Sequence, residues 1–216
     1  MAYEAVIFDN DGVLTRPTPI ETRRAAVEAA FRSAGAAPCP EAVDSVVHGD
    51  REAVTAACDR YGVDPESFWA RHESCSASTQ RTAMLDGRKP LYDDVRSTVE
   101  ALDRPIGIVS NNQHETIRHL LDVFGLEGRV SVALGREPTL DGFARCKPDP
   151  TYLQRALDRI GTRDVLFVGD SNADLLAADR AGVDSAFVRR EHRVGYDLAT
   201  DPTYELDALD DLAALA

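Results

Sequence analysis

The chain has 216 residues, 44% of them hydrophobic, and a formal net charge of −13, enough for one sizeable core and a smaller module and a poor match to an obligate nucleic-acid partner. No apolar run approaches the roughly 20 residues of a membrane span, and Met1 to Phe8 has neither the basic nor the apolar region of a leader, so a cytoplasmic protein with no membrane partner is expected. Cys39, Cys58, Cys75 and Cys146 show no C-x-x-C spacing, which argues against a zinc site or a disulfide frame.

The first apolar run, Ala5–Phe8, reads as a buried strand that stops at Asp9-Asn10-Asp11-Gly12. If the extended backbone persists, Asp9 and Asp11 share a face, and two like charges at a sheet edge call for a cation, a divalent metal being the simplest. The same residues also suit a plain turn. From Thr15 to Arg88 the pattern is helical only. Ile20–Ala34 stops at Gly35, Arg51–Tyr61 stops at Gly62, and Asp64-Pro65 opens a long helix through Trp69 towards Met84. Arg16 is placed where it could touch a ligand, but with Pro17 and Pro19 nearby the segment reads mainly as a stiff linker.

Beyond Arg88 short strands alternate with helices. Strands are predicted near Ile106–Val109, Val130–Ala133, Val165–Val168 and Ala186–Val188, with a short edge near Tyr204–Leu206. Helices are predicted over Gln113–Phe124 and Thr151–Ile160, each ending at a glycine. Such alternation implies an α/β fold, a Rossmann-like three-layer core around a parallel sheet, with ligands beyond the carboxyl ends of the strands. Residues 206–216 read as a terminal amphipathic helix, Arg189 to Arg193 as a solvated loop, and His72, His114 and His119 as solvated helix positions.

Three further stations lie at strand ends. Ser110, before Asn111 and Asn112, reads with Gln113 as a capping box, and free N–H groups beside a hydroxyl also make a phosphate site. Lys147 precedes Asp149-Pro150, which read as N-cap and first helical residue. Only two lysines accompany twenty-two arginines, so a lysine here suggests a point charge for a phosphoryl oxygen or carboxylate. Ser171 and Asp174 fit a further cap, whereas Asp170 precedes it and with Asp9 offers hard oxygen ligands suited to Mg²⁺.

These four stations, in this order, resemble the haloacid dehalogenase superfamily. The resemblance implies Asp9 as nucleophile, Asp11 as general acid and base, Ser110 and Asn111 as holders of the phosphoryl oxygens, and Lys147 as neutralising charge. It also implies Mg²⁺ on Asp9, the Asp11 carbonyl and Asp170, with Asp174 direct or through water. The carboxylate at Asp11 favours phosphate esters over the dehalogenase and phosphonate-cleaving branches. Residues 15–88 resemble the family's helical cap, inserted into a core of residues 1–14 and 89–216. Arg51, in the loop His48-Gly49-Asp50-Arg51-Glu52, is the candidate contact to an anionic substrate. The expected activity is a Mg²⁺-dependent phosphatase acting on a small phosphorylated metabolite, like phosphoglycolate phosphatase, with a phosphomutase like β-phosphoglucomutase as the alternative. The acidic excess and scarcity of lysine also fit a protein that works in high intracellular salt.

Overall fold

The computed structural model describes residues 3–214. In chain order the elements are β1 (Ala5–Phe8), α1 (Ile20–Ser33), α2 (Pro40–His48), α3 (Arg51–Tyr61), α4 (Pro65–Leu85), α5 (Val95–Ala101), β2 (Ile106–Gln113), α6 (His114–Phe124), β3 (Val130–Arg136), α7 (Leu140–Ala144), α8 (Thr151–Ile160), β4 (Val165–Gly169), α9 (Asn172–Ala181), β5 (Asp184–Val188) and β6 (Tyr204–Leu206). The six strands form one parallel sheet in the order β3-β2-β1-β4-β5-β6.

Alternation along the strands builds a core on each face. Val6, Phe8, Leu166 and Val168 face α5 and α6, packing with Val95, Val99, Ile117 and Leu120. Ala5, Ile7, Val165 and Phe167 face the other way, against Leu153, Ala156 and Leu157 of α8 and Ala178 of α9. This is the three-layer α/β core that the sequence predicts, and it sets β1 at the centre with Asp9 immediately beyond it.

Helices α1 to α4 carry a cluster of their own, in which Val27, Phe31, Val46, Val54, Phe68 and Trp69 pack together. Helix α2 is additional to the three predicted here. Asp50 and Asp64 cap α3 and α4 through the amides of Ala53 and Ser67.

Several boundaries differ from expectation for identifiable reasons. Ser110 is not a helix cap, because β2 continues through Gln113, which pairs with Arg136, and α6 begins at His114 without a side-chain cap. Helix α8 spans Thr151–Ile160 as predicted, but Pro150 takes the cap position expected of Asp149, which accepts the Thr151 amide at 2.8 Å. Of the expected terminal helix, Leu206 belongs to β6, Leu209–Ala214 form a 3₁₀ turn, and residues 215–216 lie outside the described residues. No helix of the described residues is long and apolar enough to cross a membrane. The four cysteines are unpaired.

Candidate active site

Because β1 lies between β2 and β4, the residues at the ends of these three strands meet at one edge of the sheet. There Asp9, Ser110, Lys147, Asp170 and Asp174 are all buried, at 8%, 2%, 5%, 3% and 1% exposure. Lys147 arrives from the loop before α8. Its ammonium donates to Asp174 Oδ1 at 2.5 Å and to the Val109 carbonyl at 3.1 Å, and lies 2.9 Å from Asp9 Oδ1. Asn111 locks that loop in place, its side chain accepting the Lys147 amide at 2.8 Å and donating to the Lys147 carbonyl at 3.0 Å. Asn10 ties the first station to the second, donating to Asn112 Oδ1 at 2.7 Å.

Charge and burial compete in this cluster. Burial pushes the Asp9 carboxyl up to about 7 against the pull of Lys147, and Asp174 and Asp170 add to the push. Burial opposes the charge on Lys147, yet Asp174 and Asp9 outweigh it and hold the ammonium above its ordinary range. Asp174 forms the predicted capping box, accepting from the Ser171 amide at 3.0 Å and the Ser171 hydroxyl at 2.5 Å. Its two oxygens are thus engaged by Ser171 and Lys147.

One oxygen each of Asp9, Asp170 and Asp174 lie within 4.8 Å of one another. Asp9 Oδ1 is buried, with the Lys147 ammonium 2.9 Å away. A buried carboxylate oxygen beside two further acids, with one cation shared among them, is a donor set that fits a hard divalent cation. Gly12 brings its backbone against the same place at φ +86°, where a Cβ would lie 2.2 Å from Asp170 Oδ2.

The loop after β5 is solvated only in part, with Glu191 and His192 exposed and Arg190 buried. His192 Nε2 lies 2.7 Å from Asp170 Oδ2, and Arg193 Nε donates to the same oxygen at 2.9 Å. Arg190 is buried in a bidentate pair with Asp94, at 2.7 and 2.9 Å, while Glu191 pairs with Arg16. Strong hydrogen-bonding partners explain why so charged a run folds inward. Arg16 is therefore more than a stiff linker, stacking 5.2 Å from the Tyr92 ring as well.

Above the cluster is a cavity of about 480 Å³. Asp9, Asp11, Ser110 and Asn111 line it together with Arg23, Trp69, His72 and Arg136. Arg51 is not among the residues around it. Its guanidinium pairs with Asp141 at 2.6 Å in an exposed position at the start of α3, whereas Arg23 and Arg136 line the cavity. His72 is buried rather than solvated, its ring 4.9 Å from that of Trp69, and burial lowers its pKa. His114 is exposed and His119 half-buried, the latter 3.9 Å from Glu115.

Glu73, buried on α4, takes Arg136 in a bidentate pair at 2.6 and 2.9 Å and accepts from Gln113 at 3.2 Å. Gln113 in turn accepts from Gln80 at 3.0 Å. Helix α4 is thus joined to the ends of β2 and β3 through buried polar groups, which sequence periodicity does not reveal. Burial alone would raise the Glu73 carboxyl, but Arg136 and His72 outweigh it and bring it down to about 2. Glu73→Gln leaves Arg136 buried without its charge partner and is expected to cost about 3–5 kcal/mol at pH 7, measured by urea unfolding. Because the folded value lies below the ordinary 4.5, the stabilisation is complete above that pH and is lost as pH falls towards 2. The gap between wild type and variant is expected to narrow in that window.

A family model for haloacid dehalogenase-like hydrolases matches residues 3–182. The phosphoglycolate phosphatase of Xanthomonas campestris pv. campestris is 30% identical over 220 residues, covering 95% of this chain and 90% of that protein. That of Yersinia pestis is 28% identical over 213 residues, covering 92% and 86%. The crystal structure of CbbY from Rhodobacter sphaeroides in complex with phosphate superposes with a TM-score of 0.73 at 19% identity, covering 97% of this chain and 96% of that one. With the strand-end acids, the buried lysine and the parallel sheet, these matches show that the chain belongs to the haloacid dehalogenase-like hydrolases, as a member similar to phosphoglycolate phosphatase.

Proposed function

We propose that this enzyme hydrolyses a phosphate monoester of a small metabolite through a phosphoryl group held on Asp9. The observation that carries the reading is the buried pairing of Asp9 with Lys147 at the base of a cavity that Asp11 also borders. A carboxylate oxygen of Asp9 attacks phosphorus in line, the bond from phosphorus to the ester oxygen breaks, and the Asp11 carboxyl gives its proton to the departing alkoxide. Water then attacks phosphorus and passes a proton back to Asp11. The bond from phosphorus to Asp9 breaks, releasing phosphate and restoring the carboxylate.

Ser110 and the Asn111 amide would hold the phosphoryl oxygens, and Lys147 would offset their charge together with that of Asp9. The residues that would hold Mg²⁺ are Asp9 and Asp170 by their carboxylates and Asp11 by its backbone carbonyl. Asp174, its oxygens engaged by Ser171 and Lys147, would act through water. Bound there, the ion would supply charge neutralisation for the transferring group and for the acids around it.

Residues 15–88 would serve as the cap, excluding water and choosing the ester. The phosphoglycolate phosphatase relatives favour a small acidic ester, and Arg23, which lines the cavity, would be a cation for its second anionic group.

The test is release of inorganic phosphate from a panel of small phosphate esters and sugar phosphates, with and without Mg²⁺. Release that requires the ion, with 2-phosphoglycolate among the preferred esters, is expected. Release from no ester, alongside isomerisation of a sugar phosphate in the presence of a bisphosphate primer, would replace this reading with a phosphomutase.

A further inference from the structure

The charged loop after β5 has no part in the reaction above, yet it reaches the candidate cation site. His192 stands on a short 3₁₀ turn, Glu191–Arg193, and its ring has a partner at each nitrogen. Nδ1 lies 3.3 Å from the Tyr92 hydroxyl, and Nε2 lies 2.7 Å from Asp170 Oδ2. The hydroxyl can donate to Nδ1, which leaves Nε2 to carry the proton and donate to the carboxylate, and a ring in that tautomer is uncharged. Arg193 Nε donates to the same oxygen at 2.9 Å, its guanidinium 4.5 Å from the Tyr196 ring. The loop is pinned in turn to the start of α9. There Asn172 accepts the Ala199 amide at 2.8 Å and donates to the Asp197 carbonyl at 3.1 Å.

Asp170 is therefore held by one oxygen. Oδ2 takes both donors, and the Gly12 backbone closes over it so tightly that a Cβ there would lie 2.2 Å from Oδ2 and 2.9 Å from His192 Nε2. Among the described residues no donor meets Oδ1, which leaves that oxygen for a cation beside Asp9. The terminal torsion of an aspartate is broad and roughly two-fold. Without the donors on Oδ2, either oxygen could turn towards the site.

We infer that His192 is a positioning residue for Asp170, pinning Oδ2 together with Arg193 so that Oδ1 faces the divalent cation proposed beside Asp9. The inference rests on the proposed function in taking Asp170 as a ligand of that ion. Groups that orient a metal ligand from behind are typically worth roughly 10–100-fold in metal affinity. His192 gives the cleaner test of the two donors. The guanidinium of Arg193 also repels a dication, so its removal would push the affinity in both directions at once.

The experiment is calorimetric titration of the metal-free enzyme with Mg²⁺, in wild type, His192→Asn, His192→Gln and Asp170→Asn. Asparagine is too short to reach Asp170 from this position, whereas the glutamine amide can donate from about where Nε2 stands. The expected dissociation constant rises about 10-fold in His192→Asn and returns to within about 3-fold of wild type in His192→Gln. Binding is expected to be lost in Asp170→Asn. The His192 side chain is a quarter exposed on a loop, and a urea midpoint beside each titration checks that the variants are folded. An unchanged or tighter dissociation constant in His192→Asn, or equal weakening in His192→Asn and His192→Gln, would show that the loop only covers the strand end and would overturn the inference. A wild type that binds no Mg²⁺, or binding that survives Asp170→Asn, would instead reject the proposed cation site, and this inference with it.

Discussion

Asp9→Asn is expected to abolish phosphate release, by a factor on the order of 10⁴ or more, while leaving the fold intact. Asparagine has nearly the shape of aspartate, so the packing at the end of β1 survives, but a neutral amide cannot attack phosphorus or carry the phosphoryl group. The contrast between activity and stability is the informative part. Asp9 stands among Asp170 and Asp174, and burial already disfavours its charge. Removing that charge relieves repulsion as well as weakening the pull on Lys147, which retains Asp174 at 2.5 Å. Phosphate release and urea unfolding measured on the same preparation check this. Residual release above a few per cent of wild type would move the nucleophile elsewhere.

Lys147→Met is expected to damage both properties. Methionine fills much of the volume over the Phe167 ring, which the ammonium approaches to 5.2 Å, yet it supplies no charge. Asp9 and Asp174 would then face one another in a buried site without their shared cation. Breaking a buried pair from one side typically costs about 3–5 kcal/mol, so a clear fall in the urea midpoint is expected beside loss of phosphate release. A divalent cation is expected to recover part of the stability, because it would neutralise the same acids, but not the activity. A fully stable and active Lys147→Met would contradict the electrostatic account of the cluster.

The sheet and the strand-end stations were legible because both rest on local patterns. Val6-Ile7-Phe8 ahead of Asp9, and Val165 to Val168 ahead of Asp170, are apolar runs ended by acid, and burial on both faces of a parallel sheet demands such runs. The capping box at Ser171 and Asp174 was legible for the same reason, its two partners being three residues apart. Ser110 shows the limit of that reasoning. The spacing to Gln113 matched a cap, but pairing of Gln113 with Arg136 across the sheet kept the backbone extended.

What sequence could not show was contact between segments far apart in the chain. Nothing local marks Glu73 as the partner of Arg136, 63 residues away, or His192 and Arg193 as partners of Asp170. A run rich in arginine reads as a solvated loop until buried acids are placed opposite it. Lys89, buried against Asp11, did leave a signal. The scarcity of lysine that drew attention to Lys147 applies equally to Lys89, since the chain has no other. Arg51 left no such signal, because a cation in a glycine-containing loop is common and its partner, Asp141, lies 90 residues further along the chain.

The most direct test of the central claim is capture of the phosphoryl group on Asp9. Enzyme mixed with a reactive ester and divalent cation is quenched in acid within the first turnover, digested and analysed by mass spectrometry. The account predicts the added mass of one phosphoryl group on the peptide containing Asp9, absent from Asp9→Asn. Phosphate released in the first turnover with no phosphorylated peptide, or with the group on another residue, would contradict it.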